Sequence, residues 1–217
     1  AHNARSSDGI HLELVHRDIS PENVLLDRHG AVKLGDFGAA RSVLSSFPAR
    51  EGVALGKVPY MAPEVLDRGQ AGAAADLFSL NLVLFEALAG RPLVRAESAD
   101  EALRFWRDFD PTLVIPRYLS LADGGAILVR GLERDPRRRW SDAEAQLAEV
   151  RELLLRRWGG VSPHDLGDFV RQLEGASTES GRIVTAPVDL PSMPGMQAGV
   201  ERSWYSFREG RVHGPEE

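Results

Sequence analysis

The chain has 217 residues, enough for one ordinary domain and a tail, and its hydrophobic fraction of 43% is that of a globular protein with a core. A net charge of −6 argues against nucleic acid or an anionic membrane as the main partner. The absence of cysteine excludes a disulfide framework and a thiolate metal site; with no apolar run of membrane-span length and no opening signal peptide, a soluble cytoplasmic module is expected.

In chain order, residues 1–5 read as the last turn of a helix, with Ser6-Ser7-Asp8-Gly9 as its exit, and Leu12, Leu14 and Val15 lead on. His16-Arg17-Asp18-Ile19-Ser20-Pro21-Glu22-Asn23 then places a carboxylate, and five residues later an amide. Val24-Leu25-Leu26 and Ala31-Val32-Lys33-Leu34 read as two short strands about an Asp27-Arg28-His29-Gly30 turn. That hairpin returns the chain and brings Asp36 back beside Asn23. The set suits moving a phosphoryl group: Asp18 to orient and deprotonate a hydroxyl, Asn23 and Asp36 as hard oxygen ligands for Mg²⁺.

The stretch 39–57 has no sustained period and reads as a long irregular loop. Asp76 opens an apolar run to Leu88, closed by Gly90 and Pro92; it is apolar nearly all round, so a buried central helix is expected, with Asp76 also suited to capping its start. Ser98-Ala99-Asp100-Glu101 is a capping box for a helix through Trp106, and 120–132 reads as another helix weakened at its start by Gly124 and Gly125. The arginines between Arg134 and Arg139 lack interleaved aromatics on an acidic chain and do not read as a nucleic-acid patch. Ser141-Asp142-Ala143-Glu144 is a second capping box, opening a helix to about Trp158, and Ser162-Pro163-His164-Asp165 starts a short one to about Leu173. From Gly175 the chain is rich in Gly, Ser and Pro and reads as a disordered tail, with Trp204-Tyr205-Ser206-Phe207 as its one aromatic island. No internal repeat occurs.

His16-Arg17-Asp18 with Asn23, then Asp36-Phe37-Gly38, then Ala62-Pro63-Glu64, in that order and spacing, resembles the protein-kinase signature. The resemblance covers roughly 1–158 and implies a mainly α fold with a small β-hairpin: a kinase C-lobe over 1–158, a short C-terminal helix over 159–174 and the tail over 175–217. It implies ATP and Mg²⁺ as cofactors, a protein substrate, and His16, Arg17 and Asp18 as the catalytic triplet. Asn23 and Asp36 would hold the metal, and Leu25 would form a wall for adenine. Phe37, Gly38, Glu64, Asp76 and Arg139 become structural residues: Asp76 accepts from the backbone of the His16 turn, and Arg139 pairs with Glu64 beneath a substrate shelf. The loop after Gly38 becomes an activation loop in which Ser42, Ser45 and Ser46 are possible phosphosites facing Arg17.

The chain departs from the family pattern in two matched places. The common form has lysine two residues after the catalytic Asp and threonine after the glycine before the shelf; here Ser20 and Lys57 stand there, as though hydroxyl and ammonium had changed places. Such forms resemble bacterial, and in particular myxobacterial-type, Ser/Thr kinases. Lys57 is expected to reach Asp18 or Ser20. The Gly-rich loop and strand lysine of a kinase N-lobe do not occur in these residues, and the chain opens on Ala1, so a partial domain without ATP turnover of its own is expected. The alternative is a catalytically silent, pseudokinase-like binding module. A small-molecule phosphotransferase fits less well, because Ala62-Pro63-Glu64, Asp76 and Arg139 together build a shelf for protein.

Overall fold

The computed structural model describes residues 1–39, 57–69 and 71–178. The described residues fall into two compact units, one made of those in Ala1–Leu25 and Val32–Val161, the other of Leu26–Ala31 and Ser162–Thr178. Seven helices are described: α1 (Pro63–Arg68), α2 (Ala73–Ala89), α3 (Ala99–Asp108), α4 (Pro111–Val114), α5 (Gly125–Gly131), α6 (Ala143–Trp158) and α7 (Pro163–Thr178). Two short strands, β1 (Val24–Leu26) and β2 (Val32–Leu34), pair as the expected hairpin. Its turn is tied by Asp27, whose Oδ1 accepts from the backbone N–H of His29 (2.8 Å) and of Ala31 (2.9 Å). The mainly helical architecture with one hairpin is the one the sequence implied.

Helix α2 is the axis of the first unit. It is apolar nearly all round, with Ala75, Leu77, Phe78, Leu82 and Phe85 all buried and exposure confined to Ala87 and Leu88 in its last turn. Around it pack Val94, Ala102, Trp106, Ile115, Leu128 and Leu132. Phe78 meets Trp106 edge-on at 4.9 Å. Each such large side chain contributes about 1.5–3 kcal/mol by leaving water. A buried amide pair ties α2 to α6: Gln146 Nε2 donates to Asn81 Oδ1 (3.0 Å), and Asn81 Nδ2 donates back to Gln146 Oε1 (3.2 Å). Gly131 leaves room for it, since a Cβ there would lie 2.2 Å from Asn81 Cγ.

Several boundaries differ from the sequence reading. Helix α2 starts at Ala73, behind Gly72, because three alanines extend it backwards; Asp76 therefore lies inside the first turn and is not the N-cap. Residues 1–4 make one turn closed by Ala4 N–H to Ala1 O (2.9 Å), and Arg5 bridges to His11; so few residues cannot offset the cost of nucleating a helix. The expected helix over 120–132 is split by Gly124 (φ 102°) into a 3₁₀ turn, Leu121–Asp123, and α5. Helix α6 is capped by Asp142, whose side chain accepts from Ala145 N–H at 2.7 Å, one residue later than the Ser141 box implied. In α3 the cap is Ser98, but Glu101 returns to the N–H of Glu97 (2.9 Å).

In the second unit, Ser162 and Asp165 cap α7 reciprocally, at 2.7 Å and 3.3 Å. The helix passes Gly175 and runs to Thr178, since one glycine weakens a helix by only about 1 kcal/mol. The turn of the hairpin packs on it closely: a Cβ on Gly30 (φ 80°) would lie 1.7 Å from Pro163 O, and one on Gly167 would lie 2.8 Å from His29 C. The sequence beyond Thr178, with Trp204-Tyr205-Ser206-Phe207, lies outside the described residues. Among the described residues no helix is long and apolar enough to cross a membrane.

Candidate functional site

The His16–Asn23 loop is pinned from below by α2. The carboxylate of Asp76, only 3% exposed, accepts from His16 N–H (2.7 Å) and Arg17 N–H (2.9 Å). A third contact comes from His2 Nε2 at 2.8 Å. These charge-assisted bonds hold Arg17 in the left-handed region (φ 70°), a conformation costing about 1–3 kcal/mol for a residue with a long side chain. The His16 ring is buried, with Nδ1 accepting from Asp18 N–H (3.3 Å) and Nε2 against Gly35 O (2.9 Å). One neutral tautomer, protonated on Nε2, satisfies both. Its ring also meets Phe37 edge-on at 4.5 Å.

Asn23 fixes the next piece. Its Nδ2 donates to Asp18 O (2.6 Å) and to Asp18 Oδ2 (3.1 Å), so both bonds between the two side chains' residues use nitrogen and neither engages Oδ1. Gly35 N–H donates to Asn23 O at 2.8 Å, which returns the chain beside Asn23 just before Asp36. Asp36 is exposed and left-handed (φ 54°), a conformation aspartate tolerates better than most residues, and its Oδ1 accepts from Gly38 N–H at 3.1 Å. A Cβ on Gly38 would lie 3.0 Å from that oxygen. Among the described residues no group of three or more His, Cys, Asp or Glu gathers as a cage. An amide oxygen and one carboxylate are nevertheless a donor set that fits Mg²⁺, which keeps waters and takes its other ligands from phosphate.

Around Asp18 lies a shallow depression lined by Arg17, Asp18, Ile19, Lys57, Tyr60, Met61 and Ser79. Lys57 Nζ donates to Ser20 Oγ at 3.3 Å, and its ammonium also pairs with the Glu22 carboxylate. Of the two targets expected for Lys57, its hydrogen bond is with Ser20, which is fully buried. Beneath the shelf, Tyr60 donates its hydroxyl hydrogen to Glu86. Arg139 and Glu64 meet in a bidentate pair, Nη1 to Oε1 at 2.7 Å and Nη2 to Oε2 at 2.8 Å. Leu25 (54%) and Phe37 (44%) stay exposed, while Ser42, Ser45 and Ser46 lie outside the described residues.

Sequence reasoning missed His2, Glu22 and the Tyr60–Glu86 contact. For Glu22 a signal existed: it stands in the short Pro21–Asn23 turn beside Asn23, two residues after Ser20. His2 carried none.

Residues 9–151 match the family model described as the protein kinase domain. The chain is 30% identical over 190 residues to the serine/threonine-protein kinase PknL of Mycobacterium tuberculosis, covering 82% of this chain and 47% of that protein. It is 33% identical over 211 residues to the tyrosine-protein kinase MasK of Myxococcus xanthus, covering 93% and 32%. A Corynebacterium efficiens protein, serine/threonine-protein kinases drp72, is 35% identical over 186 residues, covering 85% and 33%. The chain thus spans less than half the length of these curated relatives.

Proposed function

The chain belongs to the protein kinase family, and from that premise we propose that its His16–Gly38 cassette transfers the γ-phosphoryl group of ATP to serine or threonine hydroxyls of a protein. The observation that carries this reading is the lock between Asp18 and Asn23, with Asp36 returned alongside by the Gly35–Asn23 backbone bond. Asp18 accepts the proton of the attacking hydroxyl. The hydroxyl oxygen forms its bond to the γ-phosphorus as the bond to the β–γ bridging oxygen breaks, and that electron pair leaves with ADP. Asn23 and Asp36 are the residues to hold Mg²⁺, which when bound neutralises charge on the phosphate oxygens. Asn23 also steers the Asp18 carboxylate through its 3.1 Å bond, and the Asp76 contacts fix the backbone on which Asp18 stands. Leu25, exposed in the middle of β1, offers an apolar surface to adenine.

Two of the three relatives above are named as serine/threonine kinases and one as a tyrosine kinase, so the acceptor is a question for measurement. Incubation of the full-length protein with ATP and a mixed protein substrate, followed by phosphoamino-acid identification, is expected to give phosphoserine or phosphothreonine. Phosphotyrosine alone would move the acceptor assignment, and no transfer at all would end the enzymatic reading. The source we propose is a myxobacterial-type bacterium and the compartment the cytoplasm, where ATP is made and used. The second reading, a silent binding module, draws on one observation: the 217 residues contain no Gly-rich lid and no lysine ahead of the His16 loop. We expect these residues alone to turn over no ATP and the full-length protein to do so.

A further inference from the structure

This chain uses arginine for 24 of its 26 basic residues; its lysines are Lys33 and Lys57 alone. Lys33 is exposed on β2. Lys57 is half-buried in the depression that contains Asp18. Arginine and lysine differ physically: the first is a rigid planar fork, the second a compact point charge on a flexible stem. In a chain so biased to the fork, the lysine in the depression beside Asp18 presents a compact ammonium where an arginine would present a planar fork.

The contacts of Lys57 say what for. Its Nζ donates to the buried Ser20 Oγ at 3.3 Å and pairs with Glu22, which holds the ammonium against the catalytic loop two to four residues past Asp18. Stability is a poor reason for the pair, because Glu22 is 65% exposed and solvent screens a surface ion pair. An ammonium has three donors; among the described residues Ser20 and Glu22 engage two, and a third can meet another oxygen. Phosphoryl transfer at Asp18 builds negative charge on the equatorial phosphate oxygens beside a carboxylate that is itself negative, so a fixed positive charge there lowers the barrier.

We propose that Lys57 supplies the cation that binds and neutralises the γ-phosphoryl group during transfer at Asp18, with Ser20 and Glu22 as the positioning residues that hold its ammonium on the catalytic loop. Lys57 stays protonated throughout; the hydroxyl proton goes to Asp18 and the bridging electron pair to ADP. The proposal rests on the kinase reading above and adds a residue to it that lies outside the His16–Gly38 cassette.

The test measures kcat and KM for MgATP in the full-length protein, with thermal midpoints recorded alongside. Lys57→Met is expected to lower kcat about 100-fold or more while KM for ATP moves less than about threefold, the mark of an interaction made mainly in the transition state. Lys57→Arg keeps a partner for Glu22, so a merely structural tie would survive it; a loss of about tenfold or more in kcat with unchanged thermal midpoint is expected. Adding Ser20→Lys to Lys57→Thr should recover part of the rate, as coupled positions do. Ser20→Ala and Glu22→Gln are expected to cost less, about 3–10-fold, since each removes one support and leaves the cation. Lys57→Arg or Lys57→Met enzymes within about threefold of the parent kcat overturn the proposal while leaving the kinase reading intact. An inactive parent protein overturns both.

Discussion

Arg139 is the place where the packing argument can be pressed hardest. Its side chain is 0% exposed, and all five guanidinium donors are used: Nε to Glu133 O (2.7 Å), Nη1 to Glu64 Oε1 (2.7 Å) and Ala74 O (3.0 Å), Nη2 to Glu64 Oε2 (2.8 Å) and Arg134 O (3.2 Å). The guanidinium also lies over the Phe78 ring at 4.5 Å. Glu64→Ala removes two of the five acceptors and the only formal counter-charge in that set, leaving a fully buried guanidinium without its carboxylate. The expected loss is about 3–5 kcal/mol. At about 2–4 °C per kcal/mol for a chain of this size, the thermal midpoint should fall by roughly 6–20 °C. Removing Arg139 as well should not restore stability, because the carbonyls of Ala74, Glu133 and Arg134 would then lose their donor. Urea unfolding gives the number directly, as a lower midpoint at unchanged slope. Arg137→Ala is the control: Arg137 is 89% exposed, so solvent screens its pair with Asp135 and little stability is expected to be lost. If Glu64→Ala and Arg137→Ala cost the same, the reasoning about buried charge at this site is wrong.

Asp135 is held down from 3.8 to about 2 by its side-chain hydrogen bonds with Arg137 and by the Arg137 backbone N–H. A folded-state value below the unfolded one gives stability that is present above about pH 4 and lost as pH falls through about 2, so the deficit of Asp135→Asn relative to the parent should shrink across that window in acid unfolding curves. Asp76→Ala should leave the N–H groups of His16 and Arg17 without their acceptor, at about 1–3 kcal/mol each, and hydrogen exchange at those two amides should speed up. Gly131→Ala would press a Cβ into Asn81, which Gln146 holds in place, and chemical unfolding should show about 1–3 kcal/mol lost.

Much of this organisation was legible because it is written in local or charge-specific terms. The hairpin announces itself by apolar runs about Asp27–Gly30, α2 by its unbroken apolar run, and the Glu64–Arg139 contact by motifs that must close on each other across the fold. The contact between Lys57 and Ser20 was approachable because two unusual residues stood in matched positions. The His2–Asp76 contact was not, since it spans 74 residues and His2 lies in a stretch with no period. Helix α4 is one turn long and is set by Pro111 behind the Asp110 cap, a signal too short to separate from an ordinary turn. The split at Gly124 turned on a left-handed φ that glycine permits but does not require. The extension of α7 past Gly175 shows the same weakness from the other side: a glycine late in a helix was read as its end, where the helix continues through it.

The measurement that bears most directly on the account is transfer of radiolabel from γ-labelled ATP to protein by the full-length parent and by Asp18→Asn, with equal folding established by circular dichroism. Asparagine keeps the shape of the Asp18 side chain and its oxygen toward Asn23 Nδ2, but it cannot take a proton. The expected result is transfer by the parent and a loss of about 10²–10⁴-fold in Asp18→Asn. Equal transfer by the two proteins would contradict the role given to Asp18, and a parent that transfers nothing would contradict the function itself.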